Sequence, residues 1–189
     1  MKKIILIGDS ISMGYRGFVQ AELNGIATCW GPDENGGTSR NVLAHLDDWV
    51  LNRPVDVIHL NCGLHDGKRE FGSDDTQVPL AEYENNVRLI LRKIQESSAA
   101  RLIWATTTPV NEEWHHRLKG FDRCEADVVA FNAVALKVAA AAGVIVDDLF
   151  NLVEQAGRDE LLLEDGVHFK PAGYRLLGAV VSRSVRAAL

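Results

Sequence analysis

The sequence predicts an α/β protein in which a parallel sheet is covered by helices on both faces. Three observations lead there. Short apolar runs alternate five times with longer segments of helical periodicity, the pattern of strand–helix crossovers. The runs are branched and continuous rather than alternating, as strands buried on both faces are. The chain of 189 residues, 47% hydrophobic and 24% charged, suits one domain able to bury a full core.

Lys3–Ile7 reads as the first strand and Met13–Leu23 as the first helix. Ile26–Trp30 is the second strand. Thr38 or Ser39 caps a helix expected to run to Leu51, with Val42, Leu43, Leu46, Trp49 and Val50 on one face. Val55–Leu60 follows Pro54 as the third strand. Leu80–Gln95 places Tyr83, Val87, Ile90, Leu91 and Ile94 at helical spacing. Leu102–Thr106 is the fourth strand, Ala126–Ala142 an Ala-rich helix and Val144–Val146 the fifth strand. Pro171 opens a closing helix to Ala188. No repeat, linker or low-complexity tract divides the chain.

Composition excludes several function classes. With 20 Lys+Arg against 26 Asp+Glu the formal charge is −6, which argues against non-specific nucleic-acid binding. Cys29, Cys62 and Cys124 have the spacing of neither a disulfide framework nor a zinc site. Ile4–Ile7 is shorter than the roughly 7–15 residues of a signal-peptide core, and no run approaches the roughly 20 of a membrane span. A cytoplasmic protein without stable membrane association is expected. Composition leaves the oligomeric state open.

In open parallel sheets ligands bind beyond the carboxyl ends of the strands. The unusual polar segments lie there: Gly8–Ser12, Gly31–Ser39, Asn61–Pro79 and Thr107–Cys124. Gly8-Asp9-Ser10 joins the first strand to the first helix. A serine there lies near free backbone N–H groups that stabilise an oxyanion, although Ser10 or Asp9 also serves as an ordinary helix cap. Asp165-Gly166-Val167-His168 supplies a carboxylate and an imidazole three residues apart, the pairing a nucleophilic serine requires. Asn35-Gly36-Gly37-Thr38-Ser39 and Asn61-Cys62-Gly63-Leu64-His65-Asp66 follow the second and third strands. Their glycines let backbone N–H groups approach a ligand, or serve turn geometry alone.

These four ordered blocks resemble the GDSL-type, or SGNH, serine hydrolases. The resemblance spans nearly the whole chain. It implies a three-layer αβα sandwich around a flavodoxin-like, five-stranded parallel sheet. It also implies that Ser10 is the nucleophile, His168 the base and Asp165 its partner. The oxyanion hole then comprises the N–H groups of Ser10 and Gly36 and the third-block side chain. That block normally carries Asn; His65 stands there instead, and a histidine also donates N–H. Either His65 replaces the donor, or Asn35 or Asn61 takes over, or activity is weak.

Asn35, Gly37 and Trp114 are candidate substrate contacts. His115-His116 make poor metal spacing and read as a lid or solvated turn. Lys68, Arg69 and Glu70 read as surface residues, and His45 and His59 as structural. No metal or organic cofactor is expected. The implied activity is hydrolysis of a small ester, a short-chain acyl or carbohydrate acetyl group being favoured by the polar loops. A lysophospholipase or thioesterase of the same fold, and a non-catalytic small-ligand module, are the alternatives.

Overall fold

The computed structural model describes all 189 residues. In chain order the elements are β1 (Lys2–Ile7), α1 (Ser10–Glu22), β2 (Ala27–Trp30), α2 (Ser39–Ala44) and a π-helical turn (Asp47–Leu51). β3 (Val57–Leu60), β4 (Lys68–Arg69), α3 (Leu80–Ser97), β5 (Arg101–Ala105) and α4 (Glu112–Leu118) follow. The chain ends with β6 (Asp122–Arg123), α5 (Glu125–Ala141), β7 (Ile145–Asp147), α6 (Leu149–Gln155), α7 (Arg158–Leu161) and α8 (Pro171–Ala187).

The five long strands form one parallel sheet in the order β2-β1-β3-β5-β7. Chain reversal on either side of β1 brings the β1 and β3 ends side by side at its centre. Alternate residues of each buried strand face opposite layers. Ile4 and Leu6 pack with Tyr15, Val19, Leu177 and Val181 of α1 and α8. Ile5 and Ile7 pack with Val42, Val87, Ile90 and Phe131 on the other face, under α2, α3 and α5. A polar pair interrupts the apolar layers: buried His59 donates from Nε2 to Asp147 Oδ2 at 3.1 Å.

Most expected elements stand within two residues of their observed bounds. The helix expected from Thr38 or Ser39 to Leu51 does not. Thr38 caps α2, but the helix stops at Ala44 and resumes as the π-helical turn. There the His45 ring folds back onto the Asn41 carbonyl at 3.0 Å and stacks on Trp49 with centroids 4.7 Å apart. A side chain competing for a ladder carbonyl loosens the helix at that point. Residues 107–124, expected to be irregular, contain α4 and β6, and β6 pairs antiparallel with β4. Arg69, expected at the surface, makes two 2.6 Å bonds to Asp127 of α5.

Candidate active site

The polar segments meet at the carboxyl edge of the sheet, over β1 and β3. β1 ends at Ile7, and Asp9 then caps α1 by accepting the Ile11 N–H at 2.9 Å. The cap role therefore falls to Asp9. Ser10, the first residue of the helix, takes no part in the cap, and its N–H has no protein acceptor. That N–H points along the positive end of a 13-residue helix.

Asp165 and His168 lie on the turn between α7 and α8. The His168 ring donates from Nδ1 to Asp165 Oδ2 at 2.6 Å, because a carboxylate only accepts. Its Nε2 is then the bare nitrogen, and the Ser10 hydroxyl donates to it at 2.9 Å. Burial opposes ionisation of Asp165. Hydrogen bonds from the His168 ring and from the His168 and Val167 N–H groups outweigh it and hold its pKa far below the usual carboxylate range.

Helix α4 lies across this turn. The Asn111 N–H donates to the Gly166 carbonyl at 2.8 Å, and the His115 ring donates from Nδ1 to the Asp165 carbonyl at 3.1 Å. Gly166 has φ +71°, and a Cβ there would lie 2.3 Å from the Asn111 carbonyl oxygen, so the docking requires glycine. His115 is thus buried and tied to the turn, a correction to its reading as a lid or solvated residue; His116 is exposed.

Gly36 approaches the Gly8–Ser10 turn closely enough that a Cβ would lie 2.7 Å from the Gly8 carbonyl oxygen. Its N–H donates to that carbonyl at 3.0 Å, so it is already occupied in this conformation rather than free as expected. The Gly37 N–H donates to the side-chain oxygen of exposed Asn35 at 2.8 Å. Asn61 does not supply a donor: its amide is buried and committed to the Ala105 carbonyl at 2.8 Å.

His65 is half-buried and its ring makes no bond to protein. Burial lowers its pKa; Arg123, His168 and Lys68 add to that, and Asp9 opposes them. At neutral pH it is therefore a neutral ring with one N–H. The next residue, Asp66, is fully buried and accepts the Ser39 N–H and hydroxyl. Burial raises its pKa to about 6 against the pull of those bonds.

Two open clefts of about 410 Å³ flank α4. One is lined by Trp114, Arg117, Leu118 and Glu164, beside the Asp165 turn. The other is lined by Glu112, Glu113, His116, Arg117, Asp122, Arg123 and Cys124. Arg123 was not singled out from the sequence. It lies next to Cys124 with no flanking motif, so no local signal marks it. Helix α4 did carry a signal: Asn111 accepts the Trp114 N–H as its cap, with Glu112 and Glu113 in the first turn and His115, His116 and Arg117 in the last.

Residues 6–176 match the GDSL-like Lipase/Acylhydrolase family. No curated protein matches the chain. Among solved structures, the lipase/acylhydrolase from Enterococcus faecalis is 25% identical, with TM-score 0.83 over 99% of this chain and 96% of that one. The acetyl xylan esterase AlAXEase is 20% identical, with TM-score 0.78 over 97% and 99%. The acetylxylan esterase Axe2 from Geobacillus stearothermophilus is 19% identical, with TM-score 0.75 over 97% and 94%. The last two share the fold. With the family match spanning both the Ser10 turn and the Asp165–His168 turn, the chain belongs to the GDSL-like lipase/acylhydrolase family and is a carboxylic ester hydrolase.

Proposed function

We propose that the chain hydrolyses short-chain acyl esters, carbohydrate acetates among them, through an acyl-enzyme on Ser10. The observation that carries this reading is the relay from Ser10 Oγ to His168 Nε2 at 2.9 Å and from His168 Nδ1 to Asp165 at 2.6 Å. His168 takes the hydroxyl proton as Oγ bonds to the ester carbonyl carbon. Asp165 holds the ring in the tautomer that leaves Nε2 bare and stabilises the imidazolium. As the tetrahedral intermediate collapses, the carbon–oxygen bond to the alcohol breaks and His168 returns the proton to that oxygen. Water repeats the cycle with His168 again as base and releases the acid.

The developing oxyanion is held by the Ser10 N–H and the neutral His65 ring. The Gly36 N–H joins them by sharing or exchanging its bond to Gly8. The preference for a sugar acetate rests on the cleft beside the Asp165 turn, which is lined by the aromatic Trp114 and by the polar groups of Arg117 and Glu164. Likeness in fold to two acetyl xylan esterases points the same way.

An organophosphorus serine probe tests the nucleophile. Wild type is expected to be labelled once and Ser10→Ala not at all; labelling that survives the substitution would move the nucleophile elsewhere. A panel of acetyl, butyryl and octanoyl esters, with an acetylated xylo-oligosaccharide, tests the substrate. Fastest turnover on octanoyl esters would overturn the short-chain assignment.

A further inference from the structure

Residues 107–124 cross the mouth of the site and grip a different loop at each end. From α4, Asn111 and His115 bond the carbonyls of Gly166 and Asp165, and Lys119 Nζ lies 3.4 Å from Asp165 Oδ2. From β6, the Arg123 guanidinium donates from Nη1 to the carbonyl of Leu64, the residue before His65.

Arg123 is an expensive residue for such a modest bond. It is only 6% exposed, and burial draws its pKa down to about 10. Asp9 and Asp165 act on it through space without an ion-pair contact. A buried guanidinium lacking a carboxylate partner carries an uncompensated desolvation cost, which surface fastening of a two-residue strand does not explain.

Two buried polar atoms near the guanidinium have no partner. Arg123 Nε is a donor without an acceptor, and His115 Nε2 is an acceptor without a donor. Both side chains border the Phe121 ring: the His115 centroid lies 5.1 Å from it, and Arg123 Cζ 5.5 Å. The two orphans are complementary, and Arg123 also acts electrostatically on His115. The bonds on either side of them run from His115 to the Asp165 carbonyl and from Arg123 to the Leu64 carbonyl, with the Phe121 ring between.

We infer that Arg123 is a positioning residue, fixing the Leu64–His65 backbone, and with it the His65 ring, relative to the Asp165–His168 pair that α4 grips from the other side. This rests on the reading of His65 as an oxyanion donor. The loop carrying His65 has a second anchor at Asp66, so losing Arg123 frees the ring without unfolding the loop.

The test is a double-mutant cycle on 4-nitrophenyl acetate, with wild type, Arg123→Met, His65→Ala and the double variant, each checked for folding by thermal unfolding. Arg123→Met is expected to lower kcat by about 10–100-fold with KM held within about twofold. Added to His65→Ala it should cost nothing further, because the ring it positions is gone. Wild-type kcat in Arg123→Met, or losses that multiply in the double variant, would overturn the inference. Should Arg123→Met fail to fold, Arg123→Lys carries the same cycle, read by the same two criteria. Full kcat in His65→Ala alone overturns the donor role of His65, an outcome read from that single variant and separate from the cycle.

Discussion

The turn that carries Asp165 and His168 is closed by bonds among its own residues, with α4 docked on its outer carbonyls, whereas the loop that carries His65 is anchored mainly by distant side chains. In the first, Gly166 N–H bonds the Leu163 carbonyl at 3.0 Å, Leu163 N–H the His168 carbonyl at 2.7 Å and His168 N–H the Asp165 side chain at 2.9 Å. Each of these three partners is within five residues. In the second, the Cys62 carbonyl takes the Tyr83 hydroxyl at 2.9 Å, the Leu64 carbonyl takes Arg123 and Asp66 takes Ser39, partners 21 to 59 positions away. In the proposed mechanism, proton transfer thus rests on a compact motif closed by short-range bonds. The proposed charge stabilisation rests on a loop whose geometry depends on its distant anchors.

The largest effect separates the two regions outright. Ser10→Ala should lower kcat on 4-nitrophenyl acetate by about 10⁴–10⁶-fold while leaving the melting temperature nearly unchanged, since the half-buried hydroxyl bonds only His168. A large fall in melting temperature would mean that the Asp165–His168 turn depends on the Ser10 bond for its stability.

On the other side of the site, His65→Ala should cost about 10²–10³ in kcat, the usual loss for one oxyanion donor. His65→Asn restores an N–H and should recover most of it. Equal rates for wild type and His65→Ala would leave the strand-three loop without a role in charge stabilisation.

The pH dependence of stability distinguishes the two carboxylates. Asp66 titrates near 6 in the fold and near 3.9 when unfolded. Its protonation therefore favours the fold fully below about pH 4, and that contribution is lost as pH rises through about 6. Asp165 has the opposite sign: its contribution is present above the unfolded value and lost only as pH falls toward its depressed folded pKa. Chemical unfolding of wild type and Asp66→Asn should show wild type gaining relative stability from pH 7 to pH 4. A constant difference across that range would contradict the buried, ionisation-resistant setting of Asp66.

The smallest effect is expected at His116, which is exposed and bonded to Asp122 at 2.7 Å. His116→Ala should change stability by less than about 0.5 kcal/mol and leave kcat within about twofold, in contrast to its buried neighbour His115.

What was legible in the sequence follows this division. The Ser10 turn and the Asp165–His168 pair were readable because the residues that make them work sit beside each other in the chain. His65 was readable by position, but not the fact that its anchors are Ser39 and Arg123. The occupied Gly36 N–H was invisible, since it depends on how closely two loops approach.

Periodicity and branching determined the sheet and its helices, because burial on both faces demands those patterns from local sequence alone. Short motifs determined which turn carries the carboxylate and the imidazole. Tertiary structure decided the rest: that helix α2 breaks at His45, that α4 lies over the Asp165 turn, and that a buried arginine reaches the loop before His65. Those outcomes are set by bonds between residues dozens of positions apart, for which no single stretch of chain carries the pattern.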